Sequence, residues 1–245
     1  MAIMRNFQER MRNQGKIIAE LPAARRKSAG PQGSGVLAGK QLDEFLSASL
    51  AEDLAALKSI SSVERKIAHK RDTLLPKYAE YVERLKEAGV LHELLGYYLV
   101  WLFDAKNIGE AVQFADWCLE HGVKLPERFQ SDIRFFIASQ VVEWAEREFN
   151  AGRAIEPYWG WIHTHAEQNP ELWNLPDDIA GRLCRVKGLD AEKAEDLPLA
   201  IFYLESANKL GAKVKTALDR VRKKTTAGVS EGDSPGNVPN KATGE

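Results

Sequence analysis

The chain has 245 residues, with 34 Lys+Arg against 35 Asp+Glu, a formal net charge of −1 and 44% hydrophobic residues. That composition supports a compact unit of about 150–180 residues with a buried core, and its near-neutrality means that any affinity for a polyanion must be local. No apolar run approaches the roughly 18 residues needed to cross a bilayer, and Arg5, Arg10, Arg12 and Lys16 break up any signal-peptide core, so a soluble, cytoplasmic chain without membrane contact is expected.

The first stretch, residues 1–38, includes Arg25-Arg26-Lys27-Ser28-Ala29-Gly30-Pro31 and is expected to be a flexible basic arm, too poor in large apolar groups to offset chain entropy. Its Gly33-Ser34-Gly35-Val36-Leu37-Ala38 fits a loose dinucleotide-binding pattern, but no strand precedes it and no βαβ unit surrounds it. From about residue 40 the pattern is helical. Leu42, Phe45, Leu46, Leu50, Leu54 and Leu57 follow helical spacing and predict a first helix ending near Ser59–Ser61. Ser62 suits the N-cap of a second helix, with Arg65, Lys66 and Lys70 on its polar side and Val63, Ile67, Leu74, Tyr78, Val82 and Leu85 on the other. Pro76 should kink or interrupt that helix, and Gly89 should end it.

Val90–Phe103 is the densest apolar block, apolar nearly all round, and belongs at the centre of the core. Asp104-Ala105-Lys106-Asn107 reads as a turn, and the next amphipathic helix closes at His121-Gly122. Further helices are predicted near 127–149, 157–168, 177–187, 196–210 and 213–224, with Pro126, Pro157, Pro176 and Pro198 near the starts of four of them. The last residues, 225–245, read as a disordered polar tail. No run alternates as a strand would, so the fold is expected to be all-α. Residues 107–115 echo 196–204, and each segment continues to a glycine, at Gly122 and Gly211. This grammar suggests helical hairpins of the tetratricopeptide kind, able to offer a groove to a partner.

Charge is unevenly spread. Residues 1–72 hold 13 Lys+Arg against 8 Asp+Glu, residues 73–204 hold 13 against 22, and residues 205–245 hold 8 against 5. Basic ends therefore flank an acidic middle. The expected organisation is a flexible arm (1–38), a basic helical segment that binds DNA (39–88), an acidic helical segment for assembly and partner binding (89–224) and a polar tail (225–245). The sharpest local feature is Glu64-Arg65-Lys66-Ile67-Ala68-His69-Lys70-Arg71, which packs four cations into seven residues. Such a footprint in a neutral chain suits phosphate, with a solvated helix face as the alternative. The candidate DNA contacts are Lys58, Arg65, Lys66, His69, Lys70 and Arg71, with Ser62 as a further polar group. If five cations each neutralise a phosphate, log K should fall with log salt at a slope of about −4.5.

Other chemistries lack their residues. His163 and His165 stand two apart, and on a helix such positions diverge, so they read as surface or cap histidines rather than metal ligands. There is no Cys-x-x-Cys, no His-Glu-x-x-His and no phosphate-binding P-loop, so no cofactor or metal is expected. Glu64-Arg65-Lys66 and Asp104-Ala105-Lys106 both precede the one Pro-Asp pair, Pro176-Asp177, which is the wrong order for a restriction-type nuclease, and no catalytic residue can be named. Cys118 and Cys184 read as small buried hydrophobes. Trp144, Trp159, Trp161 and Trp173 could stack on bases, with core packing the alternative for helical spacing.

One resemblance runs through these segments. A basic helix leading into Leu74-Leu75-Pro76-Lys77-Tyr78, an apolar helix over Leu94–Phe103, then Asp104–Ala111, Ala115–Gly122 and the closing hairpin Ala200–Gly211 together resemble the small terminase subunit of peduoviruses, over about residues 40–224. The resemblance implies recognition of the cohesive-end packaging site of concatemeric phage DNA and its presentation to a large subunit that carries the ATPase. It also implies a homo-oligomeric ring, working in the host cytoplasm during phage assembly. Members of the family are often labelled the endonuclease subunit. Alternatives in other classes are a helical-repeat adaptor that binds only protein and a chain that itself cuts DNA.

Overall fold

In the computed structural model the described residues are 35–230, with side chains described over 40–226; the predicted arm up to residue 34 and the tail from 231 lie outside them. Among the described residues every regular element is helical, as the periodicity predicts. The chain is all-α.

Helix α1 (Gly35–Ser59) starts inside the stretch read as an arm and buries Leu46, Leu50 and Leu57. Ser62 caps α2 (Val63–His69), its hydroxyl accepting from the Arg65 N–H at 3.3 Å. A π turn, Lys70–Leu74, then runs without a break into α3 (Leu75–Ala88). The α-helical pattern is thus interrupted next to Pro76, as expected, but by a wider turn rather than a break. Proline lacks an N–H and its ring collides with the carbonyl four residues back, a clash that a wider turn relieves. The Leu75 N–H accordingly reaches five residues back to the Lys70 carbonyl. Gly89 ends α3 in the left-handed region at φ 63°, as its position predicts.

Helix α4 (Glu93–Asp104) is buried nearly all round, through Leu94, Leu95, Leu99, Val100, Trp101, Leu102 and Phe103, and is the centre of the first unit. The buried His92 caps it, Nδ1 accepting from the Leu94 N–H at 3.0 Å. Tyr78 on α3 donates to Asp53 on α1 at 2.6 Å, and Lys77 meets the same carboxylate at 2.7 Å. These ties hold α1 and α3 together.

Helix α5 (Ile108–His121) follows, and the chain then turns through Pro126–Phe129 before α6 (Ile133–Asn150) begins. The helix starts six residues after the predicted 127, where Asp132 supplies the first-turn acceptor, taking the Arg134 N–H at 2.8 Å. Helices α7 (Tyr158–Gln168), α8 (Asp177–Lys193), α9 (Leu197–Lys209) and α10 (Lys215–Ser230) complete the order. Helix α8 runs past the predicted 187, and α10 runs past residue 225, where the tail was expected to begin.

The contacts divide the described chain into two compact units: one reaches Trp144 and includes Glu156–Asn174, the other comprises Ala145–Ile155 and the residues from Leu175 onward. The second unit has its own apolar cluster, Ala191, Ala200, Leu204, Ala207, Val214, Leu218 and Val221. The sequence echo is a structural one. Each copy is the second helix of a hairpin, α4–α5 or α8–α9, preceded by a non-glycine residue in the left-handed region (Lys106 and Glu195, both φ 61°) and followed by a left-handed glycine (Gly122 at 71°, Gly211 at 82°).

The tryptophans answer the stacking question. Trp159, Trp161 and Trp173 are buried, and Trp144 sits edge-on to Tyr158 at 5.1 Å. The first three are core residues, and Trp144 is half-buried beside them. The two histidines are half-buried: His163 stacks on Trp159 at 4.5 Å, and His165 lies between Asp116 and the Trp161 carbonyl. Burial pushes the Cys118 thiol up to about 12 and Cys184 up to about 11, the condition of inert packing groups.

Candidate nucleic-acid interface

The cations singled out in the sequence gather at the junction of α1, α2 and the π turn, but they are not equivalent. Lys70, only 14% exposed, ion-pairs with Asp104 at the end of α4 at 2.5 Å. It fastens the π turn to the core helix. Arg71 folds onto its neighbour Asp72, with Nε at 2.7 Å and a terminal nitrogen at 3.0 Å from the two carboxylate oxygens. The hydrogen bond from Arg71 holds Asp72 below the usual carboxylate range, so the pair is ionised and locally neutral. Neither Lys70 nor Arg71 is a free cation.

Lys58, in the last turn of α1, and Arg65 are exposed, and Lys66 is half-buried; none of the three has an ion pair among the described residues. Arg65 and His69 are four apart and share one side of α2, while Lys66 and Lys70 share another. The first side, with Ser59–Ser61 of the connecting segment, lines a groove of about 460 Å³. Ser62, proposed as a further polar contact, is occupied as the helix cap.

Lys106 went unnoticed as a candidate. Its left-handed backbone projects it beside Arg71, and both line a second groove of about 550 Å³ floored by Leu75, Pro76, Ala79 and Tyr98. No sequence signal could link positions 71 and 106, because only packing brings the π turn beside the end of α4. Asp104 is a similar case, read as part of a turn and found neutralising Lys70 across 34 positions.

Part of the basic C-terminal end is spent internally. Arg220 and Lys224 on α10 both bind the buried Glu192 of α8, at 2.5 and 3.1 Å, and Arg222 pairs with Glu205 at 2.7 Å. Among the described residues no group of three or more His, Cys, Asp or Glu side chains is placed to hold a metal ion.

A family model of the phage small terminase subunit matches residues 47–175, more than half of the chain. The chain is 25% identical, over 258 aligned residues, to the probable terminase, endonuclease subunit, of Haemophilus phage HP1, covering 98% of this chain and 89% of that protein. It is 26% identical, over 184 residues, to the terminase, endonuclease subunit, of Escherichia phage P2, covering 74% of this chain and 73% of that one. No solved structure matches it. The matched span takes in the end of α1, the basic helix with its π turn and the whole of the core hairpin α4–α5, so the chain belongs to the phage small terminase subunit family.

Proposed function

We propose that this small terminase subunit binds double-stranded phage DNA at the packaging site and presents it to the large, ATP-hydrolysing subunit in the host cytoplasm, acting as a homo-oligomeric ring. The observation that carries the DNA reading is the set Lys58, Arg65 and Lys66, cations left without ion-pair partners among the described residues while Lys70 and Arg71 beside them are neutralised. Free cations at a helix junction suit phosphates, whose contacts set register and orientation on the duplex, while contacts to base edges read the sequence. Among the described residues no helix is long and apolar enough to cross a membrane.

The test is the affinity of the purified chain for a packaging-site duplex and a scrambled duplex at two salt concentrations. Tighter binding to the site, weakened by salt, supports recognition. Negligible affinity for both, with retention of the large subunit in a pull-down, moves the chain to the protein-only adaptor class. The printed names of the two relatives favour one further reading, that the chain itself cuts DNA. Cleavage by the isolated chain that requires a divalent metal and is abolished by one carboxylate substitution would establish it.

A further inference from the structure

The groove bounded by Ser59–Ser61, Arg65 and His69 has features that select one kind of ligand group. Its guanidinium, Arg65, has no carboxylate partner among the described residues. The carboxylate on its wall, Asp72, is already held by two Arg71 nitrogens at 2.7 and 3.0 Å and adds little negative field. The His69 Nε2 is buried without a hydrogen-bond partner among the described residues, an unfavourable state that a ligand oxygen would relieve. The Ser61 side chain is exposed at the same groove.

We infer that this groove seats a single phosphodiester of the DNA backbone, with Arg65 supplying the charge and His69, protonated on Nε2, donating to a non-bridging oxygen. The inference rests on the reading of the chain as a DNA-binding subunit. It deepens that reading by assigning a second hydrogen-bond donor and a defined phosphate position. The two side chains stand one helical turn apart, a spacing that lets both reach one phosphate.

The test uses the full chain and four variants: Arg65→Ala, His69→Phe, the double variant and Ser61→Glu. Arg65→Ala should weaken duplex binding about ten-fold and reduce the salt slope by about 0.9, as expected for one lost phosphate contact. His69→Phe keeps a ring in place and should weaken binding several-fold. The double variant should bind no worse than Arg65→Ala, since both groups serve one phosphate. Ser61→Glu sits on an exposed residue, so it should leave the melting temperature unchanged while its carboxylate repels the phosphate and lowers affinity at least as much as Arg65→Ala. Additive losses, a His69→Phe chain that binds like the wild type, or Ser61→Glu without effect would each overturn the seat while leaving DNA recognition in place. Absence of duplex binding by the wild type would overturn both. His69 ring resonances should shift with the duplex; a shift with inorganic phosphate alone would mark a free-phosphate site and overturn the DNA assignment.

Discussion

At the residue scale, the distinction that matters is between cations that hold the fold and cations left for a partner. Lys70 belongs to the first kind. Replacing it with Met removes a half-buried ion pair and leaves Asp104 unpaired, which should cost about 1 kcal/mol of stability while leaving the salt slope of DNA binding unchanged. Urea unfolding and a salt titration check the two halves of this prediction separately. His165 offers a second test. Burial opposes its charged form, but hydrogen bonds to Asp116 and to the Trp161 carbonyl, with the negative charge of Asp116, raise its pKa above the ordinary 6.5. The charged ring therefore stabilises the fold below pH 6.5, and that contribution is lost as pH rises through the raised folded-state value. The urea midpoint should fall across this window in the wild type, and His165→Gln should flatten the fall.

At the scale of elements, two glycines show where helices and chain approach closely. A Cβ on Gly96 of α4 would lie 2.4 Å from the Lys124 carbonyl oxygen, and one on Gly188 of α8 would lie 2.8 Å from Leu204 Cγ. Gly96→Ala should therefore lower stability by about 2–3 kcal/mol, since a backbone carbonyl must move, and Gly188→Ala by about 1–2 kcal/mol, since the fully buried Leu204, its N–H 3.1 Å away, must be displaced. Thermal melts of both variants decide the order. The C-terminal helix supplies another prediction. Hydrogen bonding from Arg220 holds Glu192 below the usual carboxylate range, with Lys224 adding to the effect, so α10 is docked by a carboxylate that must stay ionised. Its stabilisation is present above the ordinary value of 4.5 and is lost as pH falls through the lowered folded-state value. Glu192→Gln should cost about 1–2 kcal/mol, discounted because Arg220 and Lys224 are half exposed, and should expose α10 to limited proteolysis.

At the scale of the whole molecule, formal charge overstates what is free. Five cations at the basic junction imply a salt slope of about −4.5, but with Lys70 and Arg71 neutralised only Lys58, Arg65 and Lys66 remain, so a single chain should give about −2.7. A measured slope near the larger value would mean that Lys70 or Arg71 changes partner on DNA.

Helix identity, the N-cap at Ser62, the stop at Gly89 and the central place of Leu94–Phe103 were legible in the sequence, because each depends on residues within a turn or two of one another, whereas Val90 and Leu91, counted with that apolar block, are exposed ahead of the helix. So was the hairpin echo, whose second helices fold alike in both units. The accommodation of Pro76 was not legible. A ring clash allows either a break or a wider turn, and burial of Leu74, Leu75 and Tyr78 on one continuous face favours the wider turn. The candidate site was legible only as a cluster. Which of its cations are free depends on Asp104, 34 positions from Lys70, and whether His69 has a partner depends on how α1 and α2 meet. By itself the sequence determined the helices, the ends marked by a cap or a glycine such as Ser62 and Gly89, and the place where positive charge collects, since these follow from local spacing and side-chain chemistry. Only the tertiary structure decided which charges are cancelled, because cancellation requires groups far apart in the chain to come within a few ångströms.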